Sequence, residues 1–218
     1  MNISLKGIIV FIIAIILIFW VSQNKIEYYS NEYSLKQKKF KHALEDMAEI
    51  LNRNNIDFIL YCGTALGAHR EKKFIEHDKD IDLGIFQNVN IKNIINKVSK
   101  SNKFKFIHYF PKNANVDDIK ELSFIHIPTN VKIDFFVIEK KDNNLFSHYS
   151  FLSICDDKPN KRCEFTNPIN LININFMGKT YRAPDVSFLN SHYGNDWKVV
   201  KKFGYSDGLK NGGYKSLK

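Results

Sequence analysis

Apolar positions follow three different rhythms along this chain, and each rhythm marks a different kind of element. Residues 8–21 are apolar throughout, preceded by Lys6-Gly7 and followed by Ser22-Gln23. A run with no polar face does not suit a helix lying on a core. No small-residue cleavage pattern follows Trp20-Val21, so the run is expected to be an uncleaved signal anchor, a single N-terminal transmembrane helix. It is shorter than the roughly 20 residues that a bilayer core asks for. Residues 24–33 are polar and read as a stem. From Ser34 the rhythm becomes helical, with Leu35, Phe40, Ala43, Leu44, Met47, Ile50 and Leu51 on one face. Ser34-Leu35-Lys36-Gln37 has the form of a capping box, which places the start of this helix at Ser34 and its end near Asn52.

The third rhythm belongs to strands. Residues 58–61 read as a buried strand that stops at Gly63, and Gly63-Thr64 opens a short helix carrying Ala65, Leu66 and Ala68. Ile81, Leu83, Ile85 and Phe86 mark a second strand, and Ile91, Ile94, Ile95 and Val98 a second amphipathic helix. Residues 104–110 alternate as a strand ending at Pro111. Residues 122–127 and 131–138 form two more, joined by the turn Pro128-Thr129-Asn130. The stretch 139–170 is expected to be loops with a strand or two. A small hairpin turning at Met177-Gly178 follows, then a last helix opened by Pro184-Asp185 and stopped at Gly194. The Gly- and Lys-rich tail from Tyr205 is expected to be mobile.

Length and composition narrow the picture. A chain of 218 residues with 44% hydrophobic content allows one globular domain and an appendage. The resulting division is anchor 1–24, stem 25–33, domain 34–204 and tail 205–218. The formal charge of +9 is spread over scattered Lys and Arg residues with no accompanying motif, so nucleic acid is not the expected partner. Such a surface suits anionic lipid or a phosphorylated substrate. Cys62, Cys155 and Cys163 show no Cys/His zinc spacing; Cys155 and Cys163 flank a loop and are spaced to pair in an oxidising lumen.

The chemistry concentrates between Tyr61 and Gly84. The Gly63 turn offers backbone N–H groups at a helix N-terminus, which suits a phosphate. Asp80 and Asp82, two apart in a strand, project from the same face while Ile81 and Leu83 face the core. Two adjacent carboxylates repel unless a cation lies between them, and hard oxygen ligands suit Mg²⁺ or Mn²⁺. Asp134 sits in the apolar run Phe135-Phe136-Val137-Ile138, where an unpaired carboxylate would be expensive. It is the natural third ligand. Two surface aspartates on an edge strand are the simpler account of Asp80 and Asp82 taken alone.

Gly63-Thr64-Ala65-Leu66-Gly67-Ala68-His69-Arg70, Phe74-Ile75 and Asp80-Ile81-Asp82-Leu83-Gly84 together resemble the LicD/fukutin family of the nucleotidyltransferase superfold. Ala183-Pro184, Leu189 and Tyr193-Gly194-Asn195-Asp196-Trp197 resemble the end of that family's domain. Lys79 and Glu76-His77 depart from its pattern. The resemblance implies an α/β fold, with a mixed nucleotidyltransferase-like sheet and packed helices behind the transmembrane anchor. It also implies a lumen-facing (ER or Golgi) single-pass protein, whereas the Lys-rich flank after residue 24 argues for a cytosolic domain. The implied activity is metal-dependent transfer of a phosphoryl-linked group from a nucleotide-diphosphate donor, a CDP-alcohol or nucleotide sugar, to a glycan or glycolipid hydroxyl. Phosphocholine, ribitol phosphate, glycerol phosphate and sugar phosphate are the candidate cargoes. Asp80, Asp82 and Asp134 would hold Mg²⁺ or Mn²⁺; Gly63, Thr64 and Arg70 would contact donor phosphate. Asp134, Asp78 and His77 are the candidate bases. A catalytically silent membrane-anchored module of the same fold, or a nucleotidyltransferase proper, are the alternatives.

Overall fold

A computed structural model describes residues 5–111, 114–115, 118–141, 145–150, 162–201 and 214–217. The chain divides into two units, Met1–Lys39 and Phe40–Lys218. The first contributes the beginning of α1 (Leu5–Arg53). This helix does not start at Ser34. No Gly or Pro occurs from Ile8 to Arg53, so nothing stops the helix through the polar stretch, and the capping-box residues fall in mid-helix.

The expected transmembrane helix is corrected. Among the described residues no helix is long and apolar enough to cross a membrane. The apolar run falls short of a bilayer's thickness, and the helix that carries it goes on directly into polar residues. The anchor, the membrane as a partner and the single-pass, lumen-facing placement are withdrawn with it.

The second unit is α/β, as the patterning implies. After α1 come β1 (Ile59–Leu60), α2 (Cys62–Arg70), β2 (Asp80–Phe86), α3 (Ile91–Lys100), β3 (Phe104–Phe110), β4 (Glu121–His126) and β5 (Val131–Lys140). Then follow β6 (Leu145–Ser150), β7 (Arg162–Pro168), β8 (Leu171–Phe176), β9 (Lys179–Pro184), α4 (Val186–Tyr193) and β10 (Tyr214–Leu217). Among the described residues eight strands join one mixed sheet in the order β1-β2-β5-β6-β7-β10, with β4 on β5 and β3 on β4; β8 and β9 form a separate hairpin. The strand β10 lies where a mobile tail was expected. Residues 205–213 and Cys155 fall outside the described residues, as does the Cys163 side chain, and the suggested disulfide with them.

Strand β5 is the axis. It runs parallel to β2 on one side and antiparallel to β4 on the other. Alternation along these strands sorts side chains to two faces. Ile81, Leu83, Ile85, Leu122, Phe124, Ile133 and Phe135 join Leu44, Met47 and Leu51 of α1 in one buried cluster. Phe136 and Ile138 face the other way, into a second cluster with Tyr61, Leu66, Phe188, Leu189 and Trp197. Each core Leu, Ile or Phe buried this way contributes about 1.5–3 kcal/mol relative to exposure. The second face carries the acidic residues.

Candidate functional site

Register brings the aspartates together. Asp82 is the partner of Asp134 across the parallel β2–β5 pair, and Asp80 is the partner of Lys132. Ser123 of β4 lies opposite Asp134 on the other side. The three predicted carboxylates thus occupy one face of two adjacent strands.

Helix α2 meets β2 at this point. Tyr61 is its extended N-cap residue, and Cys62 turns the chain with φ of +36°. A non-glycine residue rarely holds that angle, so the strand-to-helix turn is strained. The turn delivers the Gly63 N–H to Asp82, donating to Oδ2 at 2.8 Å. Thr64 Oγ1 in turn accepts the Asp82 N–H at 2.8 Å. The two residues expected to contact phosphate are therefore engaged with Asp82 and hold it in place. A Cβ added to Gly63 would come within 2.7 Å of Asp78 Oδ2 and 3.0 Å of Asp82 Oδ2, so glycine is what lets both carboxylates approach the helix N-terminus.

A cleft of about 540 Å³ opens above this floor, a size typical of small-molecule sites. Its polar side carries Gly63, Arg70, His77, Asp78, Lys79, Asp80 and Asp82, and its aromatic side Phe136, His148, Phe165, His192 and Tyr193. Asp134 is buried beneath and does not line the cleft, whereas Asp78 and the exposed His77 do. Arg70 reaches the cleft, but its fork is committed: Nε and Nη2 donate to Glu71 Oε1 at 3.1 and 2.7 Å, and Nη1 to the Trp197 carbonyl at 3.2 Å.

Sequence reasoning missed four features here. Lys132 Nζ lies 2.6 Å from Asp134 Oδ2 and 3.9 Å from Asp80 Oδ2, a cation already seated between two of the predicted ligands. Ser123 Oγ donates to Asp134 Oδ1 at 2.5 Å. Glu121, on the same face of β4, is pushed up to about 8 by burial and by the nearby Asp134 carboxylate, so it is mostly protonated at neutral pH. The aromatic wall is the fourth. His148 lies flat on Phe165 with ring centroids 5.1 Å apart, and His192 on Phe188 at 5.2 Å. Burial holds His148 well below the usual imidazole range and brings His192 down to about 4, so both are neutral. A signal for Lys132 and Ser123 existed only in the strand register, which single-sequence patterning does not contain.

Charge is the site's dominant property. Desolvation, then the carboxylates of Asp80, Asp134 and Asp78, push Asp82 well above the usual carboxylate range, against the pull of the Gly63 N–H. Burial pulls Lys132 down, but Asp134, Asp80 and Glu121 outweigh it and its ammonium is held charged. The half-buried Cys62 thiol is pushed up by burial and then by Asp82, so it is a neutral wall of the cleft. The set Asp78, Asp80, Asp82 and Asp134 is all oxygen, which suits a hard divalent cation in kind, but no three of these carboxylates bring ligand oxygens within 4.8 Å of one another.

Comparison with known proteins follows the same stretch of chain. Residues 55–186 match the family described as LicD/FKTN/FKRP, nucleotidyltransferase domain. The ribitol-5-phosphate transferases FKTN of Macaca fascicularis and Homo sapiens are each 28% identical over 169 residues, covering 76% of this chain and 34% of theirs. The chain therefore spans about a third of the length of these curated relatives. Among solved structures, the lincosamide antibiotic adenylyltransferase LnuA with lincomycin bound is 13% identical at a TM-score of 0.46, covering 80% of this chain and 94% of that one.

Proposed function

This chain belongs to the LicD/FKTN/FKRP nucleotidyltransferase family, and from that membership we propose that it transfers a phosphoryl-linked group from a nucleotide-diphosphate donor to a hydroxyl of a glycan or glycolipid. The observation that carries this reading is the pairing of Asp82 with Asp134 on parallel strands beneath a cleft that Gly63 opens. The names of the relatives favour ribitol phosphate as the cargo, ahead of phosphocholine, glycerol phosphate or a sugar phosphate.

In the proposed mechanism Asp80, Asp82 and Asp134 would hold Mg²⁺ or Mn²⁺. When bound, such an ion offsets charge on the donor's phosphate oxygens. The protein's own groups do the remaining work. Gly63 N–H holds the Asp82 carboxylate in one orientation, and Thr64 Oγ1 accepts the Asp82 backbone N–H. Ser123 fixes Asp134 in the same way. Lys132 offsets the charge of Asp134 and Asp80. Asp78, at the cleft surface beside Gly63, would accept the acceptor hydroxyl's proton, with His77 at the rim, ahead of Asp134, the first candidate base, which is buried beneath the cleft. Arg70 contributes by holding α2 to the segment after α4, and adds a donor to phosphate only through N–H groups left over from Glu71 and Trp197. The aromatic wall of Phe136, Phe165 and Tyr193 offers flat surface to a nucleobase or a sugar ring.

The test is a screen of CDP-alcohols and nucleotide sugars against the purified chain with Mg²⁺ or Mn²⁺, scoring which nucleotide is released. Nucleoside monophosphate released from these donors identifies the transferase reading; pyrophosphate released from nucleoside triphosphates in a parallel arm identifies a nucleotidyltransferase. One observation favours a silent binding module instead: Lys132 already fills the gap between Asp80 and Asp134. No turnover of any donor, combined with no stabilisation by Mn²⁺, would establish that module and end the transferase reading.

A further inference from the structure

A second polar cluster lies on the opposite face of the sheet from the cleft. Alternation along β4 turns Glu121 and Ser123 toward the carboxylates and Leu122, Phe124 and His126 toward α1. On α1, His42 and Asp46 are one turn apart and share the face that meets His126. His126 Nε2 lies 2.9 Å from Asp46 Oδ2, and His42 Nε2 lies 3.4 Å from the same oxygen. The three ligand atoms all fall within 4.8 Å of one another, the one such group among the described residues.

We propose that His42, Asp46 and His126 form a binding site for a divalent transition metal of the Zn²⁺ type, with its fourth position open to solvent on the His42 side. Two imidazole nitrogens and one carboxylate oxygen are the donor set of Zn²⁺ or Co²⁺ rather than of Mg²⁺. Only small movements are required, since ligand atoms around a zinc ion stand close to the separations already present. Two of the three side chains are buried and held by regular elements, while His42, 55% exposed, provides the way in.

The surrounding groups have the form of an outer shell. Thr129 Oγ1 lies 2.7 Å from His126 Nδ1, so it accepts the ring proton in the tautomer that frees Nε2 for a metal. Lys103 Nζ occupies Asp46 Oδ1 at 2.8 Å and leaves Oδ2, the oxygen facing both rings, for the ion. A metal here would pin α1 to the end of the β4–β5 hairpin, the hairpin whose other face carries Asp134. The search for cysteine-type zinc spacing could not find this site, because it contains no cysteine and its third member is 80 residues away in sequence from Asp46.

The experiment uses the full chain without a polyhistidine tag, stripped by chelator and titrated with Zn²⁺ by calorimetry and with Co²⁺ by absorption. The parent and Asp82→Asn are expected to share one Zn²⁺ site of equal affinity, any further Zn²⁺ held at the aspartates being lost in Asp82→Asn, and Co²⁺ is expected to show a tetrahedral spectrum with nitrogen ligands. His42→Ala removes an exposed ligand and should lower metal-free unfolding only slightly, through its contact with Asp46. It should weaken Zn²⁺ by more than the roughly 10- to 100-fold that loss of an outer-shell partner causes, with Thr129→Val within that smaller range. Zn²⁺ bound equally by His42→Ala and parent, or lost in Asp82→Asn and kept in His42→Ala, or not bound by the parent at all, overturns the proposal.

Discussion

The ammonium of Lys132 stands 2.6 Å from Asp134 Oδ2, inside the acidic face that the proposed reaction would use. It does electrostatically what a metal ion would do, with one charge instead of two. Lys132→Met keeps the aliphatic stem and removes the charge. Asp134 is then a buried carboxylate without its ion partner, which typically destabilises by several kcal/mol, about 3–5 for a fully buried pair and less here because Lys132 is partly exposed. The metal-free variant is expected to unfold at lower temperature, and Mn²⁺ should raise its midpoint more than it raises the parent's. Equal Mn²⁺ shifts in the two proteins would show that lysine and metal do not compete.

Asp82 gives the complementary test. Its carboxyl is pushed well above the ordinary range by desolvation and by Asp80, Asp134 and Asp78, so ionising it works against the fold when no metal is present. Asp82→Asn is expected to preserve or raise metal-free stability while removing turnover and the Mn²⁺ effect. In the parent, Mn²⁺ at a hundredfold excess over Kd should stabilise by about 2.7 kcal/mol. Thermal unfolding with and without Mn²⁺, run beside nucleotide release, reads both. If Mn²⁺ shifts the two proteins equally, the aspartates do not hold metal.

Glu121 makes stability depend on pH in a direction opposite to the usual carboxylate. Its folded pKa is about 8 against an ordinary 4.5, raised by burial and then by Asp134. Between those values the folded state holds a proton that the unfolded state has lost, so stability falls as pH rises across that window and levels above it. Glu121→Gln mimics the protonated form and should flatten the decline. Urea midpoints measured from pH 5 to pH 9 decide; parallel profiles for both proteins would mean that Glu121 titrates normally.

How much of this was legible beforehand depended on whether the signal was local. Asp80 and Asp82 sharing a face, the Gly63 turn, the helix at Ile91–Lys100 and the hairpin at Met177-Gly178 are all set by neighbours in sequence, and patterning reads them. Lys132, Ser123 and Glu121 enter the site only because β5 lies between β2 and β4 in one particular register. The aromatic wall draws on β5, β6, β7 and α4, again a product of pairing at long range. Arg70 looks like a phosphate clamp from sequence because its meeting with the Trp197 carbonyl, 127 residues away, is a product of the fold. The apolar run at 8–21 has no polar face but is short for a bilayer, and no Gly or Pro separates it from the polar helix that follows.

Arg70→Lys separates the two roles now open to that side chain. Lysine keeps one charge but cannot donate to both Glu71 and the Trp197 carbonyl. With the side chain only 7% exposed, the lost hydrogen bonds should destabilise by about 1–3 kcal/mol. KM for donor is expected to rise less than stability falls would suggest for a phosphate ligand. A large rise in KM with an unchanged unfolding midpoint would restore Arg70 as a phosphate clamp.

Gly63 and Gly67 lie in the same helix and should fail in different ways when a methyl group is added. At Gly63 the new Cβ meets Asp78 Oδ2 at 2.7 Å and Asp82 Oδ2 at 3.0 Å. Asp78 is partly exposed and the atom met is the end of a side chain rather than backbone, so it can give way, and alanine suits a helix better than glycine by roughly 0.5–1 kcal/mol. Gly63→Ala is therefore expected to fold with a midpoint near or above the parent's, yet to lose turnover, because Asp78 is displaced from the cleft and the Asp82 contact to the Gly63 N–H is crowded. At Gly67 the Cβ would lie 2.6 Å from the backbone carbonyl of Lys73 and 3.2 Å from an Ile75 side-chain carbon. Backbone cannot swing aside, so α2 must move off the following loop. Gly67→Ala should lower the unfolding midpoint clearly and reduce activity only in proportion to the folded fraction. Paired measurements of unfolding and of turnover per folded molecule test this. Gly63→Ala retaining parental turnover would mean that Asp78 is not the proton acceptor and that its approach to the helix N-terminus serves packing alone.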